Sequence, residues 1–251
     1  MLLVVDIGNT DIVFGVYDGQ IWTHQWRHPS DNFIRSGAAL KGFAREAGID
    51  LRQLDRVALS SVVPGIKPHV EGLLFKLTGR KPLLIGPHLY EQLSIRIDNP
   101  SEIGSDLVAN AVSAYHRTKG ACIVVDFGTA LTFTTVSENG DILGVAIAPG
   151  LKTAFRALFA NTAQLPLVPL EVPQSAIGKN TAHALQAGIL MGYVGLVREI
   201  LRQIKSELGQ KVRVLATGGL SSILEPLQAD FDDIDPRLTM DGLRLLAERF
   251  S

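Results

Sequence analysis

The sequence predicts an α/β protein built from two related halves, and three observations lead there. An apolar, strand-like run ends on an acid followed by a turn of small donor residues at Val4-Val5-Asp6-Ile7-Gly8-Asn9-Thr10, and the design returns about 120 residues later at Val124-Val125-Asp126-Phe127-Gly128-Thr129-Ala130. Each copy leads into an alternating pattern with a hairpin signal, and the hairpin glycine lies 13 residues after Asp6 (Gly19) and 14 after Asp126 (Gly140). A chain of 251 residues with 46% hydrophobic content can build two moderate cores.

The elements follow in order. Residues 1–5 read as a first strand, 11–17 as a second, Asp18-Gly19 as a turn and 20–26 as a third. A helix is expected from Ser30 or Asp31 to residue 47, with either as N-cap and Gly48 closing it. A buried strand over 57–63, a helix over 70–77 ending at Gly79 and a short strand over 82–85 complete the first half. Residues 86–103 are polar and irregular, and a helix over 105–117 crosses toward the second half. There the strands are 121–125, 131–136 and 141–147, with Asn139-Gly140 between the last two. Helices over 152–161 and 181–208 flank a segment, 165–173, whose three prolines demand an extended or looped path. A strand over 212–216, a tight Thr217-Gly218-Gly219 loop, a helix over 221–228 and an amphipathic helix over 239–250 end the chain. The expected domains are 1–118 and 119–251.

Composition narrows the function. Lys plus Arg number 24 against 25 Asp plus Glu, so bulk electrostatic recruitment to nucleic acid is not expected. Cys122 is the single cysteine, which excludes an internal disulfide and a cysteine-based zinc site; it lies in an apolar run and reads as core. The first residues lack a basic region and meet Asp6 too early for a signal peptide. The longest weakly polar stretch, 187–197, is about 11 residues, short of a membrane span. A cytoplasmic protein with small-molecule partners, and neither nucleic acid nor membrane, is the expectation.

The two acidic turns carry the chemistry. Donor-rich turns favour phosphate, yet a carboxylate repels phosphate unless a cation lies between them. Asp6 and Asp126 thus read either as metal carboxylates, with phosphates on Gly8, Asn9, Thr10, Gly128 and Thr129, or as acids capping their own turns. Hard oxygen ligands suit Mg²⁺ or K⁺. Neither a P-loop nor a strand-linked Gly-x-Gly-x-x-Gly is present. Gly218 and Gly219 either let a base or ribose approach the backbone or form a plain turn. Asp106, where a loop enters a helix, is either an ordinary first-turn acid or a general base for a substrate hydroxyl. Gly188, Gly192 and Gly195 suggest close helix packing, and the six histidines show no metal or triad spacing.

Taken together, Asp6-Ile-Gly-Asn-Thr, Gly104-Ser-Asp106, Asp126-Phe-Gly-Thr-Ala, Ile147-Ala-Pro-Gly150, Ile177-Gly-Lys-Asn-Thr181, Thr217-Gly-Gly and Asp235-Pro-Arg-Leu-Thr-Met-Asp-Gly-Leu resemble, in this order, the motifs of type III pantothenate kinases. The resemblance spans essentially the whole chain. It implies an actin-like fold of two RNase-H-like domains and transfer of the ATP γ-phosphoryl group to pantothenate, the first step toward coenzyme A. It further implies ATP contacts from Asp6, Ile7, Gly8, Asn9, Thr10, Asp11, Ile12, Val13, Gly128, Thr129, Gly218 and Gly219, and a substrate side of Gly104, Ser105, Asp106, Leu107 and Thr181. Asp106 would be the base, Asp6 would act through Mg²⁺, Asp126 would hold a monovalent cation (K⁺ or NH₄⁺), and the protein would be a homodimer. The chain departs from the usual pattern at Leu107, where an Arg is usual, at Ile97, where Tyr is frequent, and at Val145, in place of a second Gly. If the kinase is active, Arg96, Lys152 or Lys179 is left to meet the substrate carboxylate. A kinase with a changed acceptor and a non-catalytic nucleotide-binding regulator are the other readings.

Overall fold

The computed structural model describes residues 1–160, 168–219 and 225–250, and they form two compact units. In the first, β1 (Leu2–Ile7), β2 (Asp11–Tyr17) and β3 (Trp22–Pro29) form an antiparallel meander. On the other side of β1, β4 (Arg56–Ser61) and β5 (Leu83–Ile85) run parallel to it, giving the order β3-β2-β1-β4-β5. The apolar runs of β1 and β4 suit central strands covered on both faces, whereas β3 alternates exposed and half-buried residues as an edge strand does. Leu3, Val5, Ile7, Phe14, Leu59 and Leu74 anchor this core.

Two differences from expectation have local causes. The third strand begins at Trp22 because the Asp18 carboxylate accepts from the Gln20 and Ile21 amides, both at 2.8 Å, and widens the turn. The helix expected from residue 30 divides into a 3₁₀ turn, Ser30–Arg35, and α1 (Ser36–Glu46), with Asn32 out of helical geometry. Ser30 does not cap it, because its hydroxyl and amide are bound back to the turn after β1. Helix α2 (Lys67–Thr78) closes on the Gly79 amide, which donates to Phe75 O at 2.8 Å. Helix α3 (Ser105–Thr118) is continuous although the two units divide within it, at Ser113 and Ala114.

The second unit repeats the first sheet. Its strands are β6 (Cys122–Phe127), β7 (Ala130–Val136), β8 (Ile142–Pro149), β9 (Arg213–Thr217) and β10 (Asp233–Ile234), in the order β8-β7-β6-β9-β10 with the same parallel and antiparallel senses. Two-residue β10 was not expected; it is held by Arg117, which pairs with Asp233 and Asp235. After α4 (Leu151–Ala160), α5 (Thr181–Gln186) runs through a π-helical turn, Ala187–Met191, into α6 (Gly192–Leu208). Leu190, Tyr193, Val197 and Leu201 insert into the second core beside Ile123, Val125 and Phe133. By length and composition alone the helix Thr181–Leu208 could cross a membrane, a weak indication because one side of it is core. Gly188, Gly192 and Gly195 lie on its exposed side, and a Cβ there would meet nothing within 4 Å, so the expected close packing is absent among the described residues. Cys122 is buried and its thiol is pushed up to about 11 by desolvation, as a core cysteine should be. Residue 161 of the expected 152–161 helix, the first part of 165–173, and residues 221–224 of the expected 221–228 helix lie outside the described residues; 225–230 form a 3₁₀ turn.

Chain order assigns the last helix to the second half, but α7 (Leu238–Phe250) belongs to the first unit. Its packing explains the C-terminal motif. A Cβ on Gly242 would fall 1.9 Å from Ala109 O, so only glycine allows α7 this close to α3. Thr239 donates to the buried Asn110 carboxamide oxygen at 2.8 Å, and Asp241 accepts from the Trp22 indole at 2.6 Å.

Candidate active site

In the first unit Asp6 lies at the end of a central strand, with Asn9 and Thr10 exposed in the turn beyond it. The Gly8 amide is not a spare donor: it donates to Asp11 O at 2.9 Å, so Gly8 contributes close approach rather than a hydrogen bond. Ser30 braces the turn, its hydroxyl donating to Gly8 O at 2.7 Å and its amide to Thr10 O at 2.8 Å. Asp11, Ile12 and Val13 continue into β2, where the side chains of Ile12 and Val13 are buried in the core; any ligand contact from them is through backbone.

Asp106 occupies the first turn of α3 and is half-buried. Burial pushes its carboxyl above the usual carboxylate range, opposed by the Leu107 amide, which donates to Oδ1 at 2.8 Å. Gly104 makes room for that carboxylate, since a Cβ there would sit 2.4 Å from Asp106 Oδ1. The Leu107 side chain is buried and offers a ligand nothing polar. Tyr90 donates to Ile103 O at 3.3 Å, and burial together with the Asp106 charge raises its phenol.

Two buried serines join these features. Asp6 and Ser60 are neighbours in the β1–β4 register, and the Ser60 hydroxyl donates to Asp6 Oδ1 at 2.9 Å. Ser60 Oγ also lies 2.9 Å from the hydroxyl of Ser105, the residue before Asp106. Sequence reasoning missed Ser60 altogether and assigned Ser30 only to capping. The signal available was a Ser-Ser pair ending an apolar strand, which means little until register places it beside an acid.

The second unit repeats the turn with other means. Gly128 and Thr129 are exposed beyond Asp126, and the Gly128 amide donates to Ala130 O at 3.1 Å. The Gly150 amide and the Thr153 hydroxyl both donate to Thr129 O, at 3.0 and 2.7 Å. Gly218, at φ 91°, lies against the acid: a Cβ would fall 2.6 Å from Asp126 Oδ1 and 2.7 Å from the Phe127 backbone. Gly219 meets no such neighbour. Thr181 begins α5, capped by Asn180, whose side chain accepts from the His183 amide at 2.9 Å.

Among the described residues no group of three or more His, Cys, Asp or Glu could hold a metal by itself. One carboxylate per turn suits a hard cation that takes its other ligands from phosphate and water.

A family model described as type III pantothenate kinase matches residues 2–203. The chain belongs to the type III pantothenate kinase family. Over 252 aligned positions and 99% of both chains it is 43% identical to a type III pantothenate kinase from Moorella thermoacetica, and 42% identical to one from Geobacter sulfurreducens at the same coverage. The fold is the actin-like α/β fold. A protein described as a Baf family transcriptional activator from Campylobacter jejuni superposes with a TM-score of 0.63 at 19% identity, covering 98% of each chain. Component A of (R)-2-hydroxyglutaryl-CoA dehydratase from Acidaminococcus fermentans gives 0.53 at 12% identity, covering 98% of this chain and 95% of that one. For this pantothenate kinase family member, the solved structures speak to fold and the sequence relatives to family.

Proposed function

We infer that Asp106 is the general base in ATP-dependent phosphorylation of pantothenate, the reaction of this family and the first step of coenzyme A biosynthesis. The observation that carries this is the half-buried carboxylate of Asp106, with raised proton affinity, one residue beyond a hydrogen-bonded chain that ends on Asp6. A carboxylate whose proton affinity is raised by desolvation is a better proton acceptor than an exposed one. Asp106 takes the proton of the pantothenate hydroxyl as its oxygen bonds to the γ-phosphorus, and the β–γ bridging bond breaks to release ADP. Most of the rate comes from positioning and charge neutralisation.

Asn9 and Thr10, with the backbone from Asp6 to Val13, take the phosphates, and Gly128, Thr129, Gly218 and Gly219 are ATP contacts on the second unit. Asp6 holds Mg²⁺ and Asp126 a monovalent cation, K⁺ or NH₄⁺; bound there, such ions supply charge neutralisation of the phosphates. Gly104, Ser105 and Thr181 belong to the acceptor side. With the Leu107 side chain buried, the pantothenate carboxylate is met by Arg96, Lys152 or Lys179, all exposed. Leu107 is also the observation that favours a second reading, a kinase with a changed acceptor. A cytoplasmic homodimer that pairs through the helix Thr181–Leu208 completes the proposal, and sedimentation of the purified chain tests the pairing.

Purified protein with ATP, Mg²⁺, K⁺ and pantothenate is expected to form phosphopantothenate and ADP in equal amounts, and Na⁺ in place of K⁺ to lower the rate. ADP released only with another hydroxyl compound supports the changed acceptor; ATP bound with no transfer to any acceptor defeats both readings.

A further inference from the structure

The two serines joining Asp6 to the start of α3 are buried, Ser60 at 1% and Ser105 at 4% exposure, where a hydroxyl needs a hydrogen-bond partner. Proton bookkeeping fixes the direction of the chain. The single Ser60 proton goes to Asp6 Oδ1, so the bond between the serines must be donated by Ser105. Ser105 therefore has no proton left to donate, and meets a substrate on the acceptor side only by accepting.

We propose that Ser60 is a positioning residue, which with Ser105 forms a one-way hydroxyl relay from the first turn of the base-bearing helix to the Asp6 carboxylate. The relay fixes the rotamer of Asp6, so that the carboxylate meets the divalent ion and phosphates without reorganising. A charge-assisted bond from a buried hydroxyl is strong enough to matter for ion affinity.

The inference rests on the reading of Asp6 as the divalent-ion carboxylate. The test titrates Mg²⁺ into protein holding a non-hydrolysable ATP analogue, followed by calorimetry, beside steady-state kinetics. Ser60→Ala is expected to raise the half-saturating Mg²⁺ concentration about three- to tenfold. The pantothenate KM should stay within about twofold, an indifference that general loosening would not spare. Ser60→Thr, which keeps the hydroxyl, should restore the Mg²⁺ dependence. Ser105→Ala should act in the same direction more weakly, and its effect should vanish in the Ser60→Ala background, because a broken relay has nothing more to lose. Should Ser60→Ala not fold, Ser105→Ala alone decides. A wild-type Mg²⁺ dependence in the folded alanine variant overturns the relay. If Asp6→Asn also titrates like the wild type, the underlying reading of Asp6 fails instead, so the two failures are distinguishable.

Discussion

The two acidic turns share a plan and differ in how they are held. β3 ends on Pro29 with Ser30 next, and β8 ends on Pro149 with Gly150 at the corresponding place. Each second residue donates its amide to the carbonyl of a threonine, Thr10 or Thr129. In the first unit the remaining work is done by side-chain hydroxyls, Ser30 on Gly8 and Ser60 on Asp6. In the second, one hydroxyl, that of Thr153, donates to Thr129 O, and glycines do the rest, with Gly150 against the carbonyls of Gly128 and Thr129 and Gly218 against Asp126. Hydroxyls make directional bonds that can link one site to another, whereas glycine contacts fix a shape. The first turn is thereby connected to Ser105 at the start of α3, and the second is locked by close backbone approach.

That contrast can be broken by substitution, beginning with the carboxylates. Asp6→Asn should cost at least about a hundredfold in kcat and weaken Mg²⁺-dependent nucleotide binding. Asp126→Asn should change the response to K⁺ and leave the Mg²⁺ dependence in place, read from ion titrations of the rate. Next come the glycines. Gly218→Ala combines a left-handed backbone with a clash on Asp126 and should destabilise by about 1–3 kcal/mol in denaturant unfolding. Gly8→Ala, where the nearest neighbour is Asp11 O at 3.3 Å, should cost less, and Gly219→Ala, with open space, least of the three. A tolerant Gly218 would refute the steric lock. Ser30→Ala should then cost about 1 kcal/mol through the lost bond to Gly8 O.

The smallest effect concerns Asp106 and has a definite sign. Because its folded-state proton affinity is raised, the folded protein keeps that proton to higher pH than the unfolded chain does. The stabilisation is complete below the ordinary carboxylate range and is lost as pH rises through the folded-state value. Asp106→Asn should therefore melt higher at neutral pH, with the gain disappearing in acid. A lower melting temperature at neutral pH would show that the ionised carboxylate is stabilising.

Much of this was legible in the sequence, for identifiable reasons. The duplication could be read because apolar runs, acidic strand ends and hairpin glycines are local signals, and the observed sheets repeat one topology. Asp106 could be placed at a helix start from Gly104 and Ser105 alone. What could not be read depends on contacts distant in the chain. Ser60 gains meaning only from β1–β4 register, Ser30 only from the turn it braces, and α7 only from the Gly242–Ala109 approach. The buried Leu107 marks the same boundary: its residue type signals a departure from the family pattern, but only packing shows where its side chain goes.

The most direct test of the central claim is the rate of phosphoryl transfer from ATP to pantothenate by Asp106→Asn, with nucleotide binding measured on the same sample. A base at this position predicts a fall in kcat of about 10²–10⁴-fold with ATP affinity retained. An unchanged kcat in a variant that still binds ATP would contradict it.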